Sequence, residues 1–165
     1  YLFHKSGKWS SSTRHRANRQ EQMEIKTCNK KLYLFLESHN YSNKSYSLPT
    51  ILDIIPNYLK HYWWRGYSDA DGCIYYNEKI PLTQHSITAN IDYNWTFYFD
   101  LMKNLNINYR IQKIERKQGR HSTVTISSRK GVIDFCKYIY SGENFGLSRK
   151  KKKYEKILAR WIHLS

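Results

Sequence analysis

The sequence predicts an α+β fold in which helices cover one face of a single antiparallel sheet. Helix-like and strand-like patterns follow one another in the order α-β-β-α-β-β-α-α between about residues 56 and 165. A polar turn around residues 118–120 joins the third and fourth strand candidates. Hydrophobic residues make up 40% of the 165 residues, which is enough for a packed core in one domain or slightly more.

The first half of this order is punctuated by proline and glycine. Pro56 suits the first position of a helix, where its missing N–H costs nothing, and Gly72 suits the end of that helix. Strand candidates at 73–80 and 82–91 follow, with Pro81 breaking the first of them.

The second half repeats the alternation. Residues 95–105 carry apolar side chains at helical spacing, and strand candidates at 109–116 and 122–127 come next. A helix at 131–140, a turn at 141–144 and a basic helix from about 147 to 163 complete the order.

The first 50 residues resemble a later part of the same chain. Residues 23–36 and 124–137 both show a short alternating strand, a polar turn with a basic residue and an apolar helix start. The offset of about 100 residues predicts a domain-scale duplication. Residues 1–50 are then a partial β-β-α remnant of a preceding half-domain, and residues 51–165 are a complete one. Coincidence is the alternative, because strand-turn-helix sequences are common.

The charge of the chain points to a polyanionic partner. Its 28 Lys and Arg against 13 Asp and Glu give a formal net charge of +15. Nucleic acid is one such partner and an anionic membrane surface is the other. No apolar run approaches the roughly 18 residues of a spanning helix, and no signal peptide opens the chain.

Cysteine usage excludes two other classes of protein. The three cysteines are Cys28, Cys73 and Cys136, an odd number with no CxxC pair. This argues against a zinc site or a disulfide framework and predicts a reducing, intracellular location. Richness in Lys, Asn, Ile and Tyr is typical of AT-rich genomes, which suggests an organelle, such as a mitochondrion or plastid, or a phage-infected bacterium.

One nine-residue stretch carries a motif. Residues 64–72 read WRGYSDADG and align with LAGLIDADG, with the final four residues identical and Gly66 in register. The other four positions of the motif are occupied by Trp64, Arg65, Tyr67 and Ser68. Because the motif ends a predicted helix before a β-β-α-β-β-α order, the sequence resembles the LAGLIDADG homing endonucleases. The resemblance implies a half-domain with a saddle-shaped antiparallel sheet that holds DNA.

The same resemblance assigns roles within the motif. Gly66 and Gly72 imply close approach of two such helices. Asp71 is implied as the metal ligand, Asp69 as a secondary, mainly structural residue, and the carbonyl of Ala70 as a further ligand. Mg²⁺ suits such oxygen donors when phosphate oxygens complete the set, and paired metals suit in-line hydrolysis of a phosphodiester.

Residues outside the motif are also implied. The family uses a lysine near the start of the last helix to steady phosphate charge, which here corresponds to Arg149 or Lys150. Lys151, Lys152 and Lys153 are predicted to contact phosphates, and Asn90 is the nearest candidate for positioning water.

One face of the sheet is predicted to contact base edges, because strand residues alternate faces and polar side chains read bases in the major groove. The candidates on that face are Tyr75, Asn77, Lys79, Gln84, Ser86, Thr88, Arg110, Gln112, Arg116, Thr123 and Thr125. Ordinary solvent-facing strand residues would show the same pattern.

The chain shows one motif, whereas an active site of this family needs two. A homodimer, a second half before Tyr1 or a second chain would supply the other. The predicted function is site-specific, metal-dependent cleavage of double-stranded DNA. The alternatives are an RNA-binding derivative of the fold, as a group I intron maturase or a component of an RNA–protein assembly, and a DNA-binding regulator that does not cleave.

Overall fold

The computed structural model describes residues 9–14, 22–77, 79–80, 82–116, 119–140 and 146–162. The chain divides into two compact units, residues 1–42 and 43–165. No helix in the described ranges is both long and apolar enough to cross a membrane.

The first unit contains two strands and a helix. Strands β1 (Trp9–Arg14) and β2 (Gln22–Thr27) pair antiparallel, and helix α1 (Lys30–Ser38) follows. Asn29 caps the helix, because its side-chain oxygen accepts a hydrogen bond from the Leu32 N–H at 3.1 Å. The β-β-α order was predicted for this region, and its origin as the remnant of an earlier half-domain stays a prediction.

The second unit contains one sheet and its helices. Its elements in chain order are α2 (Ile51–Ile54), α3 (Lys60–Asp71), β3 (Gly72–Tyr76), β4 (Thr83–Asn90), α4 (Thr96–Asn104), β5 (Arg110–Arg116), β6 (Gly119–Ile126), α5 (Arg129–Ile139) and α6 (Ser148–Ile162). The four strands lie in the order β3-β4-β6-β5, with every neighbouring pair antiparallel. The predicted α+β class and antiparallel sheet are confirmed.

Alternation along the strands sorts the side chains to two faces. Ile74, Ile87, Val124 and Ile126 are each at most 2% exposed on the face that packs against the helices. The core continues into the helices through fully buried side chains, namely Tyr98, Met102, Phe135 and Ile139. Burial of this apolar area is what holds the helix layer to the sheet.

Several boundaries differ from the predicted ones for local reasons. A 3-10 turn at Asn57–Leu59 precedes α3, so the helix begins at Lys60 rather than at Pro56. Strand β3 ends at Tyr76 rather than at residue 80, because the Asn77 side-chain oxygen accepts hydrogen bonds from the backbone N–H groups of Lys79 and Ile80 and forms a turn.

At the β5–β6 hairpin, the turn predicted around residues 118–120 is wrong in part. Gly119 and Arg120 already belong to β6, where they pair with Arg116 and Glu115. Residues 117–118, Pro81 and the predicted turn at 141–144 lie outside the described residues.

Candidate functional site

The last turn of α3 is held by side chains from three distant parts of the second unit. Asp69 contributes the first anchor. Its Oδ1 accepts a hydrogen bond from the Tyr140 hydroxyl at 2.8 Å, and its Oδ2 accepts one from the Leu147 N–H at 2.7 Å. Burial and this hydrogen bond to Asp69 raise the pKa of Tyr140 above its ordinary value. Both carboxylate oxygens are therefore engaged inside the fold.

Lys150 contributes the second anchor. Its ammonium donates hydrogen bonds to the backbone carbonyls of Ser68 at 2.6 Å, Asp69 at 2.7 Å and Gly72. The side chain is 4% exposed. Burial lowers the pKa of Lys150, and the charge of Arg149 adds to this while that of Asp69 opposes it. The ammonium thus acts as a C-terminal cap, because it binds three carbonyls at the helix end, one of which, that of Ser68, also accepts the Gly72 N–H.

A buried polar pair forms the third anchor. Ser68 Oγ lies 2.9 Å from His85 Nε2, and both residues are fully buried. Burial and the nearby charge of Lys150 lower the pKa of His85 to about 3, so the imidazole is neutral. A Cβ added to Gly72 would lie 2.5 Å from Ser68 O and 3.0 Å from His85 Nε2. Glycine is required there by this packing.

Asp71 is the exception in this turn, because its side chain is exposed. It lies on the same helix face as Tyr67, four residues earlier. The Tyr67 hydroxyl donates a 3.4 Å hydrogen bond to the Tyr93 hydroxyl. Burial raises the pKa of both phenols, and the negative charge of Asp71 raises them further. The Asp71 carboxylate is therefore near enough to both phenols for its charge to oppose their ionisation.

The Asp71 carboxylate and the Ala70 carbonyl, which are predicted to hold a metal, suit an oxygen-seeking cation only if further oxygen ligands complete its coordination. Asp71 and Ala70 are both exposed, and the Ala70 carbonyl is not among the three that Lys150 binds. Within the described ranges no group of three His, Cys, Asp or Glu side chains could hold a metal. Two oxygen donors from this chain leave the remaining positions to phosphate, water or a second helix.

The two other residues implied in catalysis lie in different environments. Arg149 is exposed at the first turn of α6, next to the buried Lys150. Asn90 ends β4, where its Oδ1 accepts a hydrogen bond from the Asp92 N–H at 3.0 Å and closes a turn. Its strand partner is His121, three pairs beyond the pair that joins Ile87 to Val124.

The two glycines of the motif differ in surroundings. A Cβ at Gly66 would meet nothing within 4 Å, and Gly66 is exposed on α3. Gly72 is buried against its own chain instead. The structure therefore leaves open space beside Gly66, and at Gly72 it fills the space with Ser68 and His85.

The polar sheet face has the composition that alternation predicts. The described residues that share this face are Cys73, Tyr75, Gln84, Ser86, Thr88, Asn90, Arg110, Gln112, Ile114, His121, Thr123 and Thr125, as the strand pairing shows. Thr88 and Thr123 hydroxyls hydrogen-bond across the strands at 2.9 Å. Arg110 and Gln112 are exposed on the margin strand β5, and Ile114 interrupts the polar row.

Three other predicted contact residues lie beyond the strands or at their ends. Asn77 and Lys79 belong to the turn that follows β3, and Lys79 is exposed there. Arg116 ends β5 opposite Gly119, and its backbone pairing is the part of it that the structure describes.

The lysines of the basic run do not share one environment. Lys152 is exposed, Lys151 is half-buried, and Lys153 donates a hydrogen bond to the Ile74 carbonyl at 3.1 Å. Because successive residues of a helix point in different directions, the neighbouring lysines of α6 lie in the interior, at the edge of β3 and in solvent.

Sequence reasoning named Asp69 and Lys150 but missed three other polar residues that anchor the site, namely Tyr140, Ser68 and His85. Tyr140 lies 71 residues from Asp69, and nothing local indicates their contact. The sequence did indicate Ser68 and His85, because Ser68 occupies a motif position that is normally apolar and His85 occupies an inward-facing position of a predicted strand. Two polar residues at inward positions predict a buried hydrogen bond.

Comparison with known proteins gives one family match. The model of the LAGLIDADG-like domain matches residues 59–140. This range includes α3, the whole sheet and α5. The predicted family is confirmed. No curated protein matches the sequence.

Solved structures similar to this chain include two of the homing endonuclease I-CvuI. They are 19% and 20% identical to this chain, with a TM-score of 0.34 in each case. The matches cover 49% and 50% of this chain and 54% and 55% of those chains, so this chain spans about half their length. One holds I-CvuI with the I-CreI target in the presence of 2 mM Mg, with DNA not cleaved. The other holds it with its own target in the presence of 2 mM Ca.

Proposed function

We propose, from the premise that the chain belongs to the LAGLIDADG family, that it is one half of a site-specific, metal-dependent endonuclease for double-stranded DNA. The polar sheet face binds the duplex, and the exposed end of α3 carries the hydrolytic centre. The partner half is a second copy of the chain, or another LAGLIDADG half on the same or a different chain.

One observation carries the proposal. Of the two motif carboxylates, Asp69 has both oxygens engaged by Tyr140 and Leu147, whereas Asp71 is exposed at the rigidly anchored helix end. A structural carboxylate would be satisfied within the fold, as Asp69 is. An exposed carboxylate on a helix end that is held by several side-chain hydrogen bonds is suited to bind a ligand.

In the proposed mechanism Asp71 and the Ala70 carbonyl would hold Mg²⁺, and the ion would supply Lewis-acid stabilisation of the charge on the scissile phosphate and of the attacking water. The anchors at Ser68, Asp69 and Lys150 fix the Asp71 backbone. Lys150 is thereby a capping residue, because its three carbonyl bonds use all three of its protons. Arg149, exposed beside it, is the cation that contacts the phosphate.

Pairing of the halves uses the open face of α3. Gly66 and Ala70 are exposed on that helix four residues apart, which gives a second helix room to approach closely. Such an approach brings two Asp71-like carboxylates near the two strands of a duplex.

The test is cleavage of a randomised duplex library with Mg²⁺, followed by sequencing of the ends. Cuts at one motif, lost with EDTA and lost in Asp71→Asn, are expected. Asp92→Asn is the matched control, because it removes another exposed carboxylate outside the motif and leaves cleavage intact. Cleavage that persists in Asp71→Asn would refute the assignment.

An RNA-binding derivative of the fold, such as a group I intron maturase, is the second candidate. The observation in its favour is that the described residues provide one exposed motif carboxylate, together with a basic α6. It predicts that structured RNA outcompetes duplex DNA at equal salt, with no effect of Asp71→Asn on binding. We further propose that the protein acts in an organelle or a phage-infected bacterium, because its richness in Lys, Asn, Ile and Tyr is typical of AT-rich genomes.

A further inference from the structure

Helix α6 runs alongside strand β3. Lys150 contacts the Gly72 carbonyl, Lys153 contacts that of Ile74 at 3.1 Å, and Arg160 contacts the Tyr76 hydroxyl at 3.4 Å. Ten helical residues advance about 15 Å and four strand residues about 13 Å, so the two elements proceed together in the same direction. Among the described strands β3 pairs with β4 alone, so α6 borders the sheet at this margin.

The contacts also fix the rotation of α6. Tyr154 stacks with Tyr140, at the end of α5, with ring centroids 5.9 Å apart. Lys150 and Lys153 face β3. Successive helix residues turn by about 100°, so the next positions around the helix, beyond β3 and away from α5, are occupied by three cations. These are Arg149, Lys152 and Lys156, here called the α6 flank.

The α6 flank lies on the side of the polar sheet face. Helix α5 packs against the opposite, apolar face through Phe135 and Ile139. One side of α6 contacts α5, the next side contacts the edge of β3, and the side after that faces the same way as the exposed Tyr75. All three flank residues are exposed as well.

The chemistry of this flank suits a polyanion. Its cations are spaced by three and four residues, so they stand about 5 and 6 Å apart along the helix. The single carboxylate of α6, Glu155, lies about 60° around the helix from Lys152 and about 100° from Lys156, so the three cations outnumber it on this side. Phosphates of one DNA strand advance about 3.4 Å along the duplex axis per nucleotide, so a row of this length can follow several of them.

We infer that the α6 flank binds the phosphate backbone of a DNA duplex lying on the polar sheet face, next to the region whose bases the sheet contacts. This inference rests on the proposed binding of nucleic acid by the sheet and is independent of cleavage. The contact contributes affinity without sequence preference, since phosphates carry no base information.

The test compares two double variants that remove the same charge. Lys152→Gln with Lys156→Gln changes the flank, and Lys103→Gln with Lys137→Gln changes exposed lysines on α4 and α5. Binding to a mixed-sequence duplex is measured in EDTA across a salt series, with thermal melting to verify that both variants fold.

The flank variant is expected to lower the slope of log K against log salt by about 1.8, from about 0.9 for each lost phosphate contact. The loss of affinity should be equal on all duplexes, and the control variant should keep the wild-type slope. Equal slopes in the two variants would overturn the inference, and so would a flank effect confined to anionic lipid vesicles. A chain that binds with the expected slopes and cuts nothing would refute the endonuclease alone.

Discussion

Replacing Gly72 by alanine tests whether the end of α3 is held by contacts rather than by backbone conformation. Gly72 has φ −80° and ψ 157°, a conformation that any L-residue adopts. The new methyl group would nevertheless stand 2.5 Å from Ser68 O, 3.0 Å from Ser68 Oγ and 3.0 Å from His85 Nε2. Alanine therefore requires the Ser68–His85 pair to move apart.

The expected cost follows from these contacts. Overpacking costs about 1–3 kcal/mol, and loss of the buried hydrogen bond adds about 1 kcal/mol. The reduced freedom of the unfolded chain returns about 0.4–1 kcal/mol. We expect a net loss of about 2 kcal/mol, or a melting temperature lower by about 8 °C at about 4 °C per kcal/mol.

Urea denaturation followed by tryptophan fluorescence measures this loss, because Trp64 and Trp95 are each 3% exposed in the second unit. Gly66→Ala is the matched control. Its methyl group meets open space on a helix, so the variant should be more stable by about 0.5–1 kcal/mol. A Gly72→Ala protein as stable as the wild type would refute the packing argument.

Three further predictions concern the anchors of the same turn. Asp69→Asn should lower the free energy of unfolding by about 1–3 kcal/mol, because Tyr140 and Leu147 donate to different carboxylate oxygens and the amide replaces one of these acceptors by an NH2 donor. Tyr140→Phe, measured in the same urea titration, should account for only part of the loss. Lys150→Met should cost about 3 kcal/mol, because it removes the ammonium that binds the Ser68, Asp69 and Gly72 carbonyls, whereas Lys152→Met should stay within about 0.5 kcal/mol. Equal urea midpoints would contradict the capping role. The pKa of His85 in the folded state is about 3, below the ordinary 6.5, so the unfolded state binds the proton first as the pH falls. The free energy of unfolding therefore decreases between pH 6.5 and pH 3, by up to about 1.4 kcal/mol per pH unit. Between pH 7 and pH 5 the wild type should lose more stability than His85→Gln.

The order of elements in the second unit could be predicted because its signals are local. Periodicity separates α4 from the strands, and alternation assigns the polar sheet face, with Tyr75, Gln84 and Gln112 on one side. The end of α3 was predicted at Gly72 for a different reason than the structure gives. A terminating glycine usually adopts positive φ, whereas this one is extended and is needed for the close approach of Ser68 and His85.

The roles of individual cations could not be predicted in the same way. Arg149 to Lys153 are five successive basic residues, and charge alone does not distinguish them. Lys150 binds carbonyls about 80 residues earlier in the chain, while Lys152 faces solvent. The difference depends on how α6 is rotated against β3, which is set by tertiary packing of Tyr154 and Ile157 rather than by local sequence.

The cover that α6 provides for β3 has a consequence during protein synthesis. Residues 77–147 separate the end of β3 from the start of α6, so the edge of the strand is made 71 residues before the helix that covers it. At about 5–20 residues per second, a ribosome needs about 4–14 s for that interval. Until then the nascent sheet carries an open backbone edge, the kind that pairs with other chains. We expect slower translation between these elements to increase aggregation of newly made protein, and faster translation to decrease it.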